Sequence, residues 1–265
     1  MPTHYAVEDW YDSPRAYDLV FDEDTPQATD FLEAVQAKHG NVKGVRGPRR
    51  VFEPACGSGR LVVEFARRGW RASGSDLSQP MLDYARERLA ELGLTASLCL
   101  GDMADPRPRG RFHLAHCLVS TFKYLLAERQ ARGNLAGVAR ALHPGGLYVL
   151  GLHLTDYERS SLSRERWVVE RDGTQVVCNI QGWPADRRRR VERVRSRLIV
   201  VERGEERRTE TVWDFRTYDV RQLSRLLASV PQLEHVATYD FRYDVDEPCA
   251  FGVDQEDTIL VLRRR

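Results

Sequence analysis

From Val51 onward the apolar residues fall alternately into short continuous runs and into stretches that repeat every three to four positions. Such runs mark buried strands, and such repeats mark helices that bury one face. Val51 to Glu53, Ala72 to Ser75, Ala96 to Leu100, Phe112 to Leu118 and Leu147 to His153 read as strands. Leu61 to Arg68, Pro80 to Leu92 and Glu128 to Leu142 read as the helices between them. This alternation predicts an α/β chain with a doubly wound, mostly parallel sheet. Pro80, just inside its helix after Ser78, and Pro144-Gly145, after the last one, are the expected start and stop signals.

Between Thr155 and Tyr218 the period falls to two. Trp167 to Glu170, a turn at Asp172-Gly173, Gln175 to Trp183, Val191 to Glu202, a turn at Gly204 and Arg207 to Phe215 form hairpins. They predict an antiparallel β meander inserted before a final helix, Val220 to Ser229, and two closing strands, Leu233 to Phe241 and Thr258 to Leu262. Ahead of the first strand lie an aromatic and acidic lead (Tyr5, Trp10, Tyr11, Tyr17, Phe21), a helix from Pro26 to His39 and a basic, glycine-rich linker from Gly40 to Arg50. Three regions follow: an N-terminal helical segment, 1–49; a core, 50–155 with 217–265; and an inserted antiparallel subdomain, 156–216.

The chemistry concentrates at the first strand. Val-Phe-Glu-Pro-Ala-Cys-Gly-Ser-Gly-Arg ends that strand at Glu53, turns on Gly57 and Gly59, and enters a helix. Glycines there permit positive φ or close approach of a ligand. The carboxyl edge of an open α/β sheet is where ligands bind, with the helix amides pointing at them. The second strand ends in Asp76, seventeen residues beyond Gly59, near the spacing of roughly 20 at which an acid takes ribose hydroxyls. Val62 stands where a dinucleotide fingerprint wants its third glycine, and no Gly-Lys-Ser/Thr follows for a triphosphate. Glu53 would repel a phosphate but suits an ammonium group. The ligand expected is a zwitterion bearing a sulfonium.

At these residues the chain resembles the class I S-adenosylmethionine-dependent methyltransferases: Glu53-Pro-Ala-Cys-Gly-Ser-Gly59 matches their first motif and Gly-Ser-Asp76-Leu-Ser the acid ending their second strand. The resemblance continues through Leu-Gly-Asp102-Met103, Val119 to Leu125, Leu142 to Gly146 and Tyr218 to Leu223. It implies a Rossmann-like sheet of seven strands with the last antiparallel, and methyl transfer from S-adenosylmethionine, leaving S-adenosylhomocysteine. It implies that Glu53, Gly57 and Gly59 hold the methionine end, Asp76 the ribose, Leu77 one adenine face, and Asp102 and Met103 the purine, with Ala55, Met81 and Leu118 completing the cofactor site. In related enzymes the N-terminal segment folds over the site, which makes Tyr11 and Tyr17 lid residues; the alternative is that these aromatics cap the core. Ser120, Thr121 and Tyr124, after the fourth strand, fall in the substrate region, with Tyr17 and, if their strand turns inward, Trp183, Trp213, Phe215 and Arg216.

Catalysis by in-line displacement needs alignment more than acid or base, and proximity supplies roughly 7–11 kcal/mol of such a barrier. His153, at the end of the fifth strand, is placed for a general base, with Tyr11 as a second catalytic candidate; a strand-end histidine satisfied by local hydrogen bonds is the other reading of His153. Val-Ser-Thr-Phe stands where DNA and glutamine methyltransferases carry Asn-Pro-Pro-Tyr, which favours a small-molecule substrate, an N or O atom being methylated.

Composition narrows the partners. The chain has 265 residues, 42% hydrophobic and 30% charged, enough for one α/β core with an elaboration. Net charge is +1, from 40 basic and 39 acidic residues, so no overall field recruits nucleic acid or an anionic membrane. The beginning, Met-Pro-Thr-His-Tyr, lacks the basic end and apolar core of a signal peptide, so a cytoplasmic protein is expected. The five cysteines are scattered, which fits reduced thiols, Cys56 being a packing residue in the turn; the seven histidines lack metal spacing. Arg187 to Arg190 is open to reading as a phosphate or RNA grip, which keeps an RNA or other nucleic-acid methyltransferase as one alternative; a noncatalytic nucleoside binder on the same fold is another. Yet Arg193, Arg195 and Arg197 alternate with Val194, Ser196 and Leu198, which marks a solvated strand face with cross-strand charge pairs. The insertion is placed either to wall a substrate pocket or to pair two subunits in a homodimer.

Overall fold

The computed structural model describes residues 4–252 and 256–265; the first three residues of the beginning read above for a leader lie outside them. In chain order the elements are β1 (Ala6–Val7), a short 3-10 helix (Trp10–Asp12), α1 (Pro14–Phe21), α2 (Thr25–His39), β2 (Arg50–Pro54), α3 (Arg60–Arg67), β3 (Arg71–Asp76), α4 (Gln79–Glu91), β4 (Ser97–Leu100) and β5 (Phe112–Cys117). A second 3-10 helix (Thr121–Tyr124), α5 (Glu128–Ala141), β6 (Leu142–His153), β7 (Ser163–Arg171), β8 (Thr174–Gly182), β9 (Val191–Glu202), β10 (Glu205–Arg216), α6 (Val220–Ala228), β11 (Leu233–Tyr239) and β12 (Asp257–Arg264) follow.

The larger sheet has seven strands in the order β11-β12-β6-β5-β2-β3-β4. The pairs from β6 through β4 are parallel, and β12 runs antiparallel to both neighbours. The α/β class, the parallel core and the antiparallel last strand agree with the sequence reading. Alternation along each strand sorts side chains to two faces. Val51, Leu114, Leu147 and Ile259 meet α2 and α3, while Phe52, Ala115, Tyr148 and Leu260 meet α5 and α6. Strand order reverses between β2 and β5, which opens the crevice at the carboxyl ends where such sheets take ligands.

The inserted strands β7 to β10 form the expected antiparallel meander, with β1 added in parallel at its edge. Its inner face, Val176, Cys178 and Leu198, buries Trp10, Ala16 and Leu19 of the N-terminal segment. The meander sheet thus faces the carboxyl edge of the core across the first helices.

Two departures from the sequence reading have local causes. β1, the first 3-10 helix and α1 were not expected, because two to eight residues are too few to show a period. β6 begins at Leu142 and not Leu147, since Leu142 pairs with Phe112 and the ladder slips once before Leu114. Gly145, φ +81°, makes that irregular start feasible: a Cβ there would lie 2.2 Å from the Asn41 carbonyl.

Candidate functional site

The turn between β2 and α3 is left-handed at three residues, Ala55 (φ 58°), Gly57 (φ 52°) and Gly59 (φ 71°). The two glycines serve different ends. A Cβ on Gly59 would sit 2.7 Å from the Ala85 Cβ of α4, so this glycine lets α3 and α4 pack. A Cβ on Gly57 would meet only a Tyr17 ring carbon at 3.7 Å, which leaves this backbone open toward the site. Gly59→Ala is therefore expected to cost about 2–4 kcal/mol of stability from strain and overpacking together. Gly69→Ala, at φ +80° but in open space, is expected to cost only about 1 kcal/mol. Thermal unfolding of the two variants checks the difference.

Asp76 closes the turn. Its Oδ2 accepts the Gly57 N–H at 2.8 Å and its Oδ1 the Ser78 N–H at 2.8 Å, which ties the glycine loop to the start of α4. Burial lifts its pKa, and hydrogen bonds from the Ser78, Gly57 and Leu77 amides oppose the rise. Glu53 lies deeper. Burial pushes its carboxyl up to about 8, against the pull of Arg60 and with help from Asp76. Its Oε2 is buried without a partner. His116, fully buried on β5, has Nδ1 3.6 Å from Glu53 Oε1 and stacks on Phe65. Burial drives its pKa down to about 3, so the ring is neutral beside Glu53.

Leu77, 68% exposed, stands beside the turn, whereas Met81 is completely buried in α4. Asp102 is exposed and its Oδ1 accepts the Ala104 N–H at 2.7 Å. Met103 is buried, and its carbonyl accepts the Asn134 amide at 2.8 Å. Cys56 packs on the bare backbone of Gly74, where a Cβ would come within 2.6 Å of its sulfur, and burial holds its thiol well above the ordinary value. It is a packing residue.

Two hollows meet here. A void of about 30 Å³ lies against Glu53, Ala55, Arg60 and Leu118. A cavity of about 590 Å³ lies between the ends of β5 and β6 and the inner face of the meander. Tyr17, Phe21, Val119 and Thr121 line both. Val119 (φ 54°) and Ser120 (φ 62°) are consecutive left-handed residues at this junction, a costly conformation for a β-branched side chain. The Ser120 hydroxyl accepts the His153 N–H at 3.0 Å. Overhead, the Tyr11 hydroxyl donates to that of Tyr124 at 2.8 Å.

Tyr11, Tyr17, Ser120, Thr121, Tyr124, His153 and Trp213 all line the larger cavity. Arg216 does not: it lies on the other face of β10 from Trp213 and Phe215, with its guanidinium on Glu128 at 3.1 Å. The parity of the strand makes this correction, since 213 and 215 share a face and 216 cannot. Sequence reasoning missed Asp257, whose Oδ1 lies 2.7 Å from His153 Nδ1 because β12 places it opposite His153 in the ladder. It also missed Asp18, a buried carboxylate that takes hydrogen bonds from Ser58 (2.8 Å), Arg88 (2.6 Å) and Tyr84 (3.3 Å) and so fastens α1 over the turn.

The arginines of the insertion are largely paired within it or against the core. Arg193 meets Asp214, Arg195 and Arg197 meet Glu210, Arg187 meets Glu158 and Arg190 meets Glu128. Val194, Ser196 and Leu198 between them are buried. Among the described residues no helix is long and apolar enough to cross a membrane.

Residues 51–146, which contain the turn, Asp76, Asp102 and the junction, match a family model described as a methyltransferase domain. By this match residues 51–146 form a methyltransferase domain. The chain is 28% identical, over 124 residues, to dTDP-3-amino-3,4,6-trideoxy-alpha-D-glucopyranose N,N-dimethyltransferase of Streptomyces venezuelae, covering 47% of this chain and 48% of that one. It spans about half the length of the curated relatives it matches. The fold extends further. A S-adenosylmethionine-dependent methyltransferase from Clostridium acetobutylicum superposes with TM-score 0.75 at 18% identity, covering 94% of this chain and 96% of that one. The sugar N-methyltransferase KedS8 from Streptoalloteichus sp. superposes with TM-score 0.72 at 18% identity, covering 100% and 96%. The likeness of the methyltransferase fold therefore includes the inserted meander as well as the core.

Proposed function

We propose that this chain transfers the methyl group of S-adenosylmethionine to an amine nitrogen of a small molecule, an amino sugar being the acceptor class that fits best. The observation that carries the reading is the junction, where four side chains line both the void against Glu53 and the aromatic cavity beyond it. A methyl donor on the glycine turn and an acceptor in the cavity would meet there. The residues present suit the donor. The unpartnered Glu53 Oε2 suits an α-ammonium, Asp76 keeps acceptor sites for ribose hydroxyls, Leu77 and Met103 offer adenine faces, and Asp102 an acceptor for its amine. When bound, S-adenosylmethionine supplies a sulfonium methyl, an electrophile with a good leaving group.

The protein must align the acceptor, exclude water and take one proton. Tyr17 and Phe21 cover the junction from α1, and the Tyr11–Tyr124 hydroxyl pair roofs it. Burial holds the Tyr11 hydroxyl well above its ordinary value, so it orients and does not act as a base. Asp257 on Nδ1 favours the His153 tautomer whose Nε2 accepts. An imidazole suits an amine acceptor, because the proton to be taken is that of an ammonium, before attack or after methylation, and an ammonium gives up its proton far more readily than an alcohol does. The names of the Streptomyces venezuelae N,N-dimethyltransferase and of KedS8 support the same class. The paired arginines weigh against an RNA substrate.

Incubation with S-adenosylmethionine and a matched pair, an amino sugar and its hydroxyl counterpart, tests this by mass spectrometry. Methylation of the amine alone is expected, with His153→Ala lowering kcat about 10- to 100-fold. Methylation of the hydroxyl counterpart alone would sink the nitrogen reading.

A further inference from the structure

Lys123 lies in the wall of the larger cavity with its side chain only 3% exposed, and its Nζ donates to Glu192 Oε1 at 2.5 Å. The partners come from distant places, the 3-10 helix after β5 and the start of β9. The ammonium also stands 5.4 Å from the centre of the Phe215 ring, and Phe215 is the ladder neighbour of Glu192. Burying such a pair is costly, and apolar residues of similar volume often fill the same space at no loss of stability. Packing alone therefore gives no reason for it.

Its chemistry supplies one. An ammonium has three donors and a carboxylate about four acceptor sites, and only one of each is used between the two groups. An anion drawn to Lys123 would face Glu192, and a cation drawn to Glu192 would face Lys123, so the pair rejects net charge of either sign. A hydroxyl donates and accepts at one atom and satisfies both. Trp213 and Phe215, with ring centres 6.0 Å apart at 72°, line the same cavity and offer apolar surface for the carbon face of a ring. We propose that Lys123 and Glu192 form a subsite that reads hydroxyl groups on the acceptor, while the amine lies at the junction. The subsite rests on the amine-acceptor reading above and gives it a substrate specificity.

Steady-state kinetics with two amino sugars, one hydroxylated and one deoxygenated away from the amine, test the subsite. They compare the wild type, Lys123→Met and Lys123→Met/Glu192→Met; the double variant leaves no buried charge unpaired and carries the measurement if the single variant unfolds. The wild type is expected to favour the hydroxylated acceptor by about tenfold or more in kcat/KM, through KM. In the variants this ratio collapses to about one, while calorimetric affinity for S-adenosylhomocysteine is retained. A wild type that methylates both acceptors equally well overturns the subsite and leaves the amine reading standing. So does a ratio that survives in the variants, which would make the pair purely structural. A wild type that binds S-adenosylhomocysteine and methylates neither amine overturns the amine reading itself, and the subsite with it.

Discussion

Asp76→Ala is expected to weaken binding of S-adenosylmethionine and S-adenosylhomocysteine at least about 100-fold, roughly 3 kcal/mol. Two losses combine. The carboxylate accepts the Gly57 and Ser78 amides, so its removal frees two backbone donors and loosens the turn that forms the site. It also removes the acceptor proposed for the ribose hydroxyls, and each charge-assisted hydrogen bond contributes about 1.5–3 kcal/mol. Asp76→Asn separates the two parts. An amide oxygen can still accept one loop N–H, while its NH2 cannot accept a hydroxyl, so the loop is partly restored and affinity remains reduced. Calorimetry on the wild type and both variants, with circular dichroism to confirm folding, decides the matter. A folded Asp76→Ala protein that binds as tightly as wild type would remove Asp76 from the site.

How much of this was readable in advance depends on whether contacts were local. Glu53, the glycine turn and Asp76 are strand-end features whose spacing is written in the chain, and the structure brings all of them to one edge. The meander was equally legible, because Arg193, Arg195 and Arg197 alternate with buried Val194, Ser196 and Leu198. The dyad partner of His153 was not. Asp257 lies 104 residues away and reaches His153 only through the antiparallel register of β12 on β6. Lys123 was visible within the segment after the fourth strand, but its burial depends on Glu192 of the insertion. Arg216 was misplaced for the converse reason: the range of β10 was foreseen, whereas which parity faced the cavity is fixed by packing on Trp10 and α1. α1 itself was hidden by its length, although Pro14 at its first position is a start signal.

Glu53→Gln is expected to abolish the pH dependence of cofactor affinity and, in the same protein, to stabilise the fold. The wild-type carboxyl has a pKa near 8, so at neutral pH it is mostly protonated without ligand. Holding an α-ammonium favours its ionised form, so binding releases a proton. Affinity should then rise with pH, by up to about tenfold per unit, between about pH 6 and about pH 7.5, below the range in which an α-amino group itself deprotonates. Calorimetry in buffers of different ionisation enthalpy would detect the released proton. Glu53→Gln, with no carboxyl to ionise, should bind weakly and without this slope. Stability carries the opposite sign. Because the folded pKa is raised from 4.5 to about 8, the contribution of Glu53 is fully present below pH 4.5 and is lost as pH rises through the folded value. By pH 7 the loss is on the order of 3 kcal/mol. The Gln variant, neutral throughout, escapes it, so its Tm should exceed that of wild type increasingly from about pH 5 to about pH 8. Parallel Tm curves for the two proteins would refute the buried, proton-linked carboxylate. Diverging curves together with lost affinity would identify Glu53 as a residue that destabilises the empty site in order to recognise a cation there, the trade of stability for function expected of a buried ionisable group.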